Sequence, residues 1–239
     1  MIKNIIPLQK ITIIVPIFNE ERTINKILDK IENQKYIKKQ IILIDDFSSD
    51  NSLQKLRKYK FKSQYKIIKH RKNLGKGACI ISAQPYVNGD IVIIQDSDLE
   101  YNPYDYKKMI KPIINKKTKV VYGSRVLGGN RYKNTNFSSF IRIFFNHILT
   151  LFSNFINNQN LTDAHTCYKV FNKKVFKSLK LKEKRFSFCP EVTTKLSKKK
   201  IKIIEVPISY KGRTYEEGKK ISFKDGIEAI YVLIKYRYF

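Results

Sequence analysis

From Ile11 onward the chain alternates short apolar runs with segments of helical period. ITIIVP (Ile11–Pro16), IILID (Ile41–Asp45), KIIKH (Lys66–His70), IVIIQ (Ile91–Gln95) and KVVYG (Lys119–Gly123) are short and rich in β-branched residues, which predicts buried strands. Between the first two, Ile24, Ile27, Leu28 and Ile31 recur at spacings of three, four and seven, one face of a helix. Ser48–Asn51 is a cluster of helix-capping residues, Asn73–Gly77 turns into another helix, and a further helix follows Pro103. This βαβ alternation predicts a mostly parallel sheet flanked by helices. No repeat, linker or low-complexity tract marks a boundary, so residues 1–239 read as one domain, with halves at about 8–130 and 131–239.

The second half changes character. Ser138–Asn157 places apolar residues at 140, 141, 144, 145, 148, 149, 152, 155 and 156, while Arg142, Asn146, Thr150 and Asn154 recur every fourth residue on the opposite side. That predicts an amphipathic helix, suited to a bilayer interface or to packing on the sheet or a partner chain. The carboxyl end, GIEAIYVLIKYRYF, predicts a second such helix. No run reaches eighteen uninterrupted apolar residues, and the amino terminus is too short and polar for a signal peptide.

Composition adds a charge argument. The chain carries 48 Lys+Arg against 20 Asp+Glu, a formal charge of +28, which favours anionic partners: nucleic acid, an anionic lipid surface or phosphorylated substrates. Its three cysteines have no metal-ligand spacing and, being odd in number, no disulfide framework, which fits a reducing cytosol. His147 and His165 fall in no metal pattern, and the run Lys195–Lys202 reads as a solvated face.

Against that basic background the strand ends are acidic. Glu20 follows the first strand, Asp45 and Asp46 end the second, and Asp96-Ser97-Asp98 ends the fourth. In a parallel sheet these tips share one edge, where ligands of open α/β folds bind. Two carboxylates one residue apart repel unless a positive group sits between them, and a divalent cation carrying a phosphate would serve. A solvated turn would give the same D-x-D. Asn73–Gly77 lacks the spacing G-x-x-x-x-G-K-[ST] of a P-loop, and no G-x-G-x-x-G follows the first strand.

The segments IIVPIFNEE, LIDDFSSD, NLGKGA, IIQDSDLEY and VVYGSR, in this order, resemble family 2 glycosyltransferases, whose nucleotide-sugar domain has the GT-A fold. Asp163–Phe171 and Tyr210–Lys220 resemble the branch of dolichol- and polyprenyl-phosphate sugar synthases. The resemblance implies that Pro16, Phe18 and Glu20 line the nucleoside, and that Asp46 with Ile44 meets base and ribose. It implies that Asp96, Ser97 and Asp98 form the D-x-D motif, with Asp96, Asp98 and Glu100 as ligands of Mg²⁺ or Mn²⁺. Arg125, Arg213 and Lys219 then match the cations around the diphosphate and the acceptor phosphate. Phe18 stands where the family more often has Tyr, and Ser97 where it often has Ala.

On this reading the chain is an inverting hexosyltransferase. Its donor is a nucleotide sugar of the GDP-mannose or UDP-glucose type, with UDP-GlcNAc also open, and its acceptor a polyprenyl or dolichyl phosphate. An ionised lipid phosphate needs no strong base, whereas a sugar hydroxyl, as in polysaccharide synthesis, needs a carboxylate such as Asp163 or Glu191. Arg131, Arg213, Lys219 and Lys220 favour the phosphate. A sugar nucleotidyltransferase would open on a Gly-rich loop after the first strand, which VPIFNEE is not. A basic nucleic-acid-binding module would account for the charge and the many Tyr and Phe, but not for an acidic rim that repels a phosphate backbone. The expected partners therefore exclude nucleic acid. The expected location is the cytoplasmic face of a membrane, held peripherally by lipid or by a membrane protein.

Overall fold

The computed structural model describes residues 9–129, 137–213 and 223–239. The first half winds β1 (Lys10–Ile17), α1 (Ile24–Glu32), β2 (Lys38–Asp45), α2 (Ser52–Lys58), β3 (Gln64–Lys69), α3 (Lys76–Ala83), β4 (Ile91–Ile94), α4 (Tyr106–Ile114) and β5 (Val120–Ser124). Each expected strand is present within a few residues of its predicted limits. The second half adds α5 (Phe137–Asn157), β6 (Lys169–Asn172), α6 (Lys173–Ser178), α7 (Phe188–Lys198), β7 (Ile203–Pro207) and α8 (Phe223–Tyr238).

All seven strands join one sheet in the order β3-β2-β1-β4-β6-β5-β7. It is mostly parallel: only β6 runs against its neighbours β4 and β5. The core is largely aliphatic, with Ile13, Ile14, Ile41–Ile44 and Ile91–Ile94 wholly buried. A run apolar on both pleat faces, such as IVII, needs helices above and below, and the βαβ crossovers supply them. The parallel strands β1, β2 and β4 end together, so their following loops meet at one rim, as the alternation predicts.

The second half adds two strands its pattern did not predict, β6 and β7, and departs from the pattern again at α5. In α5 the polar Thr150, Ser153 and Asn157 are buried, and Asn154 hydrogen-bonds both backbone groups of Leu161. Phe140, Ile141, Phe144, Phe145, Ile148, Leu151 and Phe155 are exposed. The amphipathic helix thus turns its polar side inward and most of its apolar side outward. It packs on α8, which exposes Ile227, Ile230, Tyr231 and Ile234.

Candidate active site

Three strand-tip loops build the rim, and each bends through one non-glycine residue in the left-handed region: Asn19 after β1, Phe47 after β2 and Leu99 after β4. Such backbone costs on the order of 1 kcal/mol or more per residue and clusters where loops are held for function. Hydrogen bonds lace the loops together. Asn19 N–H donates to Ser48 Oγ at 3.1 Å, Ser49 N–H to Asn19 Oδ1 at 2.9 Å, and Glu20 N–H to Ser52 Oγ at 2.7 Å. Ser97 is buried and donates its hydroxyl to Pro16 O at 2.8 Å, tying the β4 tip to β1. Pro16, Phe18 and Glu20 therefore stand beside the D-x-D turn, while Ile44 is wholly buried within β2.

Asp46 is occupied by the chain itself. Its carboxylate accepts from Leu74 N–H at 2.9 Å, Gly75 N–H at 2.7 Å and His70 Nδ1 at 2.6 Å. His70 Nε2 meets Ser82 Oγ at 2.9 Å on α3. One ligand atom each from Asp46, His70 and Cys79 lies within 4.8 Å of the others. Hydrogen bonds already engage both oxygens of the Asp46 carboxylate, and burial pushes the Cys79 thiol up, so the trio reads as a hydrogen-bonded brace under the 73–75 loop. Asp45, wholly buried beside it, has no hydrogen-bond partner for either carboxylate oxygen among the described residues.

The NLGKG loop is not a phosphate cradle. The first amides of α3 are taken by the chain: Gly77 N–H donates to Arg185 O at 3.3 Å and Ala78 N–H to Lys184 O at 2.9 Å. The glycines allow that docking, since a Cβ at Gly77 would lie 2.1 Å from Glu183 O. The loop instead delivers Lys76, whose Nζ is in very short contact with Asp96 Oδ1. Burial alone would lower the Lys76 pKa, but the Asp96 carboxylate more than offsets it and the net shift is upward. Lys76 was not among the residues singled out from the sequence; its place in a Gly-Lys-Gly turn ahead of a helix was the available signal.

The second acidic position is held from the other side. Asp98 Oδ1 accepts from Glu100 N–H at 3.0 Å, and Asp98 Oδ2 lies 3.4 Å from Arg213 Nη2. The same nitrogen donates to Glu20 Oε1 at 2.7 Å. Glu100 accepts from Arg213 N–H at 2.8 Å and from Tyr210 Oη at 3.0 Å. The hard carboxylate oxygens of Asp96, Asp98 and Glu100, carried on one turn, suit Mg²⁺ or Mn²⁺. A cavity of about 470 Å³ opens beside them, with Lys30, Glu100, Arg125, Tyr210 and Lys211 in its wall.

Arg125 and Asp163 form a buried bidentate pair, Nε to Oδ2 at 2.7 Å and Nη2 to Oδ1 at 2.8 Å. Burial opposes the guanidinium charge, yet Asp163 drives the Arg125 pKa well above its ordinary value. The guanidinium carbon lies 5.3 Å from the centre of the Tyr210 ring. Glu191 is elsewhere. On α7, its carboxylate accepts from Lys182 N–H at 2.8 Å, Glu183 N–H at 2.9 Å and Lys195 Nζ at 2.6 Å, fixing the turn on which α3 docks. Lys219, with Arg131 and Lys220, lies outside the described residues.

This geometry agrees with comparisons to known proteins. Residues 12–180 match the family model "Glycosyl transferase family 2". The chain is 28% identical over 242 aligned positions to the UDP-N-acetylglucosamine–dolichyl-phosphate N-acetylglucosaminyltransferase of Methanococcus voltae, covering 94% of each. It is 25% identical over 238 positions to the dolichol-phosphate mannosyltransferase of Pyrococcus furiosus, covering 95% of this chain but 64% of that longer protein. Glucosyl-3-phosphoglycerate synthase of Mycobacterium tuberculosis, solved with Mn²⁺, UDP-glucose and phosphoglyceric acid, superposes with a TM-score of 0.65. That likeness, at 16% identity over 96% of this chain and 80% of the other, concerns the fold.

Proposed function

The chain belongs to glycosyl transferase family 2, and from that premise we propose that it moves a hexose, with inversion, from a nucleotide sugar to a polyprenyl or dolichyl phosphate. The observation that carries the reading is the rim where Glu20, Asp96, Asp98 and Glu100 meet Lys76 and Arg213, beside a cavity walled by Arg125 and further lysines. Acidic groups at the strand tips and cations facing them suit a metal-bound diphosphate and a second phosphate.

Asp96, Asp98 and Glu100 would hold Mg²⁺ or Mn²⁺, which when bound supplies Lewis-acid stabilisation of the diphosphate leaving group. Arg213 clamps the phosphates from the opposite wall, where preorganised charge contributes most as negative charge grows. Pro16, Phe18 and Glu20 line the nucleoside. Asp46 acts at one remove, by holding the 73–75 loop. Arg125 is fixed by Asp163 and turned toward Tyr210 and the cavity, where it meets the acceptor phosphate, with Lys219 as a further cation.

The carboxylates bear on the choice of acceptor. Asp163 is committed to Arg125, and Glu191 to two backbone amides and Lys195. Neither is placed to take a proton from a sugar hydroxyl, and an ionised phosphate needs no such base. The relatives named above for dolichyl phosphate support the same choice. The exposed apolar sides of α5 and α8 would rest in the membrane interface beside the lipid acceptor, and no helix among the described residues is long and apolar enough to cross a membrane.

The test is incubation with GDP-mannose, UDP-glucose and UDP-GlcNAc, with and without a polyprenyl phosphate, scoring release of GDP or UDP. Release that requires both the lipid phosphate and a divalent metal is expected. Transfer to a soluble sugar hydroxyl and none to the lipid phosphate would overturn the acceptor assignment.

A further inference from the structure

Each carboxylate of the D-x-D turn is already matched by a donor from a distant part of the chain. Lys76 holds Asp96, while Arg213 Nη2 bridges Glu20 Oε1 at 2.7 Å and Asp98 Oδ2 at 3.4 Å. The Arg213 guanidinium thus spans from the loop after β1 to the loop after β4, beside the oxygens expected to face a metal. The two cations are anchored differently. Lys76 is enclosed, its side chain 10% exposed and the Asp96 carboxylate against it. Arg213, its side chain 17% exposed, follows a segment pinned by Ser209 N–H to Asp105 at 2.7 Å and Lys211 N–H to Glu100 O at 3.0 Å, and its long side chain reaches the two carboxylates from there.

We propose that Arg213 is a resident counter-cation of the D-x-D turn, which holds Asp98 and Glu20 until a nucleoside diphosphate draws it away. Free divalent metal then binds poorly, and metal and diphosphate enter together. The inference rests on the donor and metal reading above and adds a regulation of that same site. The argument is electrostatic. A divalent ion approaching Asp98 with the guanidinium in place meets a like charge at contact range and must compete for the same oxygen. A diphosphate offers Arg213 several anionic oxygens in a geometry its planar fork can grip, and offers the metal oxygen ligands at the same time. It therefore acts twice, as a ligand of the metal and as the group that removes the metal's competitor.

The signature is a pair of effects with opposite signs. Arg213→Ala should tighten binding of free metal while weakening binding of the diphosphate. A residue that only contacts phosphate would leave the free-metal affinity unchanged, and one that only supports the fold would lower both. The test is titration of the full chain with Mn²⁺ alone, followed by electron paramagnetic resonance, for the wild type, Arg213→Ala and Arg213→Lys. The titration is then repeated with UDP or GDP present. The expected outcome is free Mn²⁺ affinity about tenfold higher in Arg213→Ala, the scale of removing one partly screened adjacent charge, with Arg213→Lys near the wild type. The gain in Mn²⁺ affinity that diphosphate confers should be smaller in Arg213→Ala than in the wild type. Adding Asp98→Asn to Arg213→Ala should abolish the tightening, which assigns it to this turn. Equal or weaker free-Mn²⁺ binding in Arg213→Ala, with Mn²⁺ still binding beside the diphosphate, would overturn the counter-cation role alone. No Mn²⁺ binding in any form, even with diphosphate, would remove the metal reading and this inference with it.

Discussion

Asp96 and Asp98 are separated by a single residue, yet they are neutralised from opposite walls, one by the enclosed Lys76 and the other by Arg213. Seen in the sequence alone, two neighbouring carboxylates repel, and removing either charge should leave stability unchanged or raise it. The pairing changes that expectation for one of them. Asp96→Asn strands the buried Lys76 ammonium and should cost about 3 kcal/mol, the scale of breaking a buried ion pair from one side. Asp98→Asn leaves Arg213 with Glu20 and should cost little. Both should lower turnover by at least about a hundredfold, as loss of a strong transition-state electrostatic contact does. Chemical denaturation beside steady-state rates separates the two effects, and Lys76→Met added to Asp96→Asn should recover much of the lost stability. Equal stability of the two single variants would refute the assignment of Lys76 to Asp96. The acidic side of the site was legible because strand-end carboxylates follow directly from the apolar runs. Of its cations, Arg213 was expected at the phosphates from the resemblance but its pairing with Asp98 was not, and Lys76 was not expected at all, since the two lie 115 and 20 residues from their aspartates and only the fold brings them there.

At the scale of elements, periodicity located α5 but could not say which face turns inward. The polar stripe that includes Thr150 and Asn154 reads as the solvent side of a helix, yet here Thr150 is buried with Ser153 and Asn157, Asn154 bonds Leu161 in the turn that follows, and Ser197 of α7 donates to Asn157 O at 2.7 Å. The outward aromatic face is then available to lipid. Phe144→Asp with Phe145→Asp, both on exposed positions, should leave the fold intact by circular dichroism and reduce flotation with anionic vesicles by at least about tenfold, because a charged residue at each site opposes interfacial burial. Undiminished flotation would assign this face to another partner. The strands the pattern missed have a physical reason as well. β6 has only four residues and begins with Lys169, a polar residue in the sequence but wholly buried in the sheet. Its Nζ donates to Ala164 O and Thr166 O and sits 3.8 Å from the centre of the Tyr122 ring. β7 (Ile203–Pro207) is a half-buried edge strand whose apolar run is broken by Glu205, and Glu205 accepts from Thr162 N–H at 2.7 Å and Asp163 N–H at 2.9 Å. Those two strands complete the platform from which Arg125 and Asp163 face the site.

For the whole molecule, the formal charge of +28 and the acidic rim are complementary. At the strand tips Glu20, Asp96 and Asp98 are paired with Lys76 and Arg213, while Lys and Arg outnumber Asp and Glu by 48 to 20 over the whole chain. A field of that sign attracts anionic lipid and phosphate-bearing substrates and is screened by salt over about 10 Å at 0.1 M. Each lysine or arginine near an anionic surface contributes on the order of 1 kcal/mol, whereas on the proposed membrane-facing reading the apolar face of α5 and α8 would contribute a term that salt does not weaken. The two contributions are separable. Raising salt from about 50 mM to about 500 mM should lower binding to anionic vesicles by at least about tenfold and leave weak binding to neutral vesicles nearly unchanged. Transfer to a polyprenyl phosphate should fall in parallel when that lipid is carried in anionic vesicles. In detergent micelles without anionic lipid it should fall much less, since the active-site contacts are enclosed and screened less than surface charge. Vesicle co-sedimentation and initial rates at matched salt give both curves. If rates in the two settings fall equally, the surface charge acts on the substrates directly and contributes nothing to membrane residence.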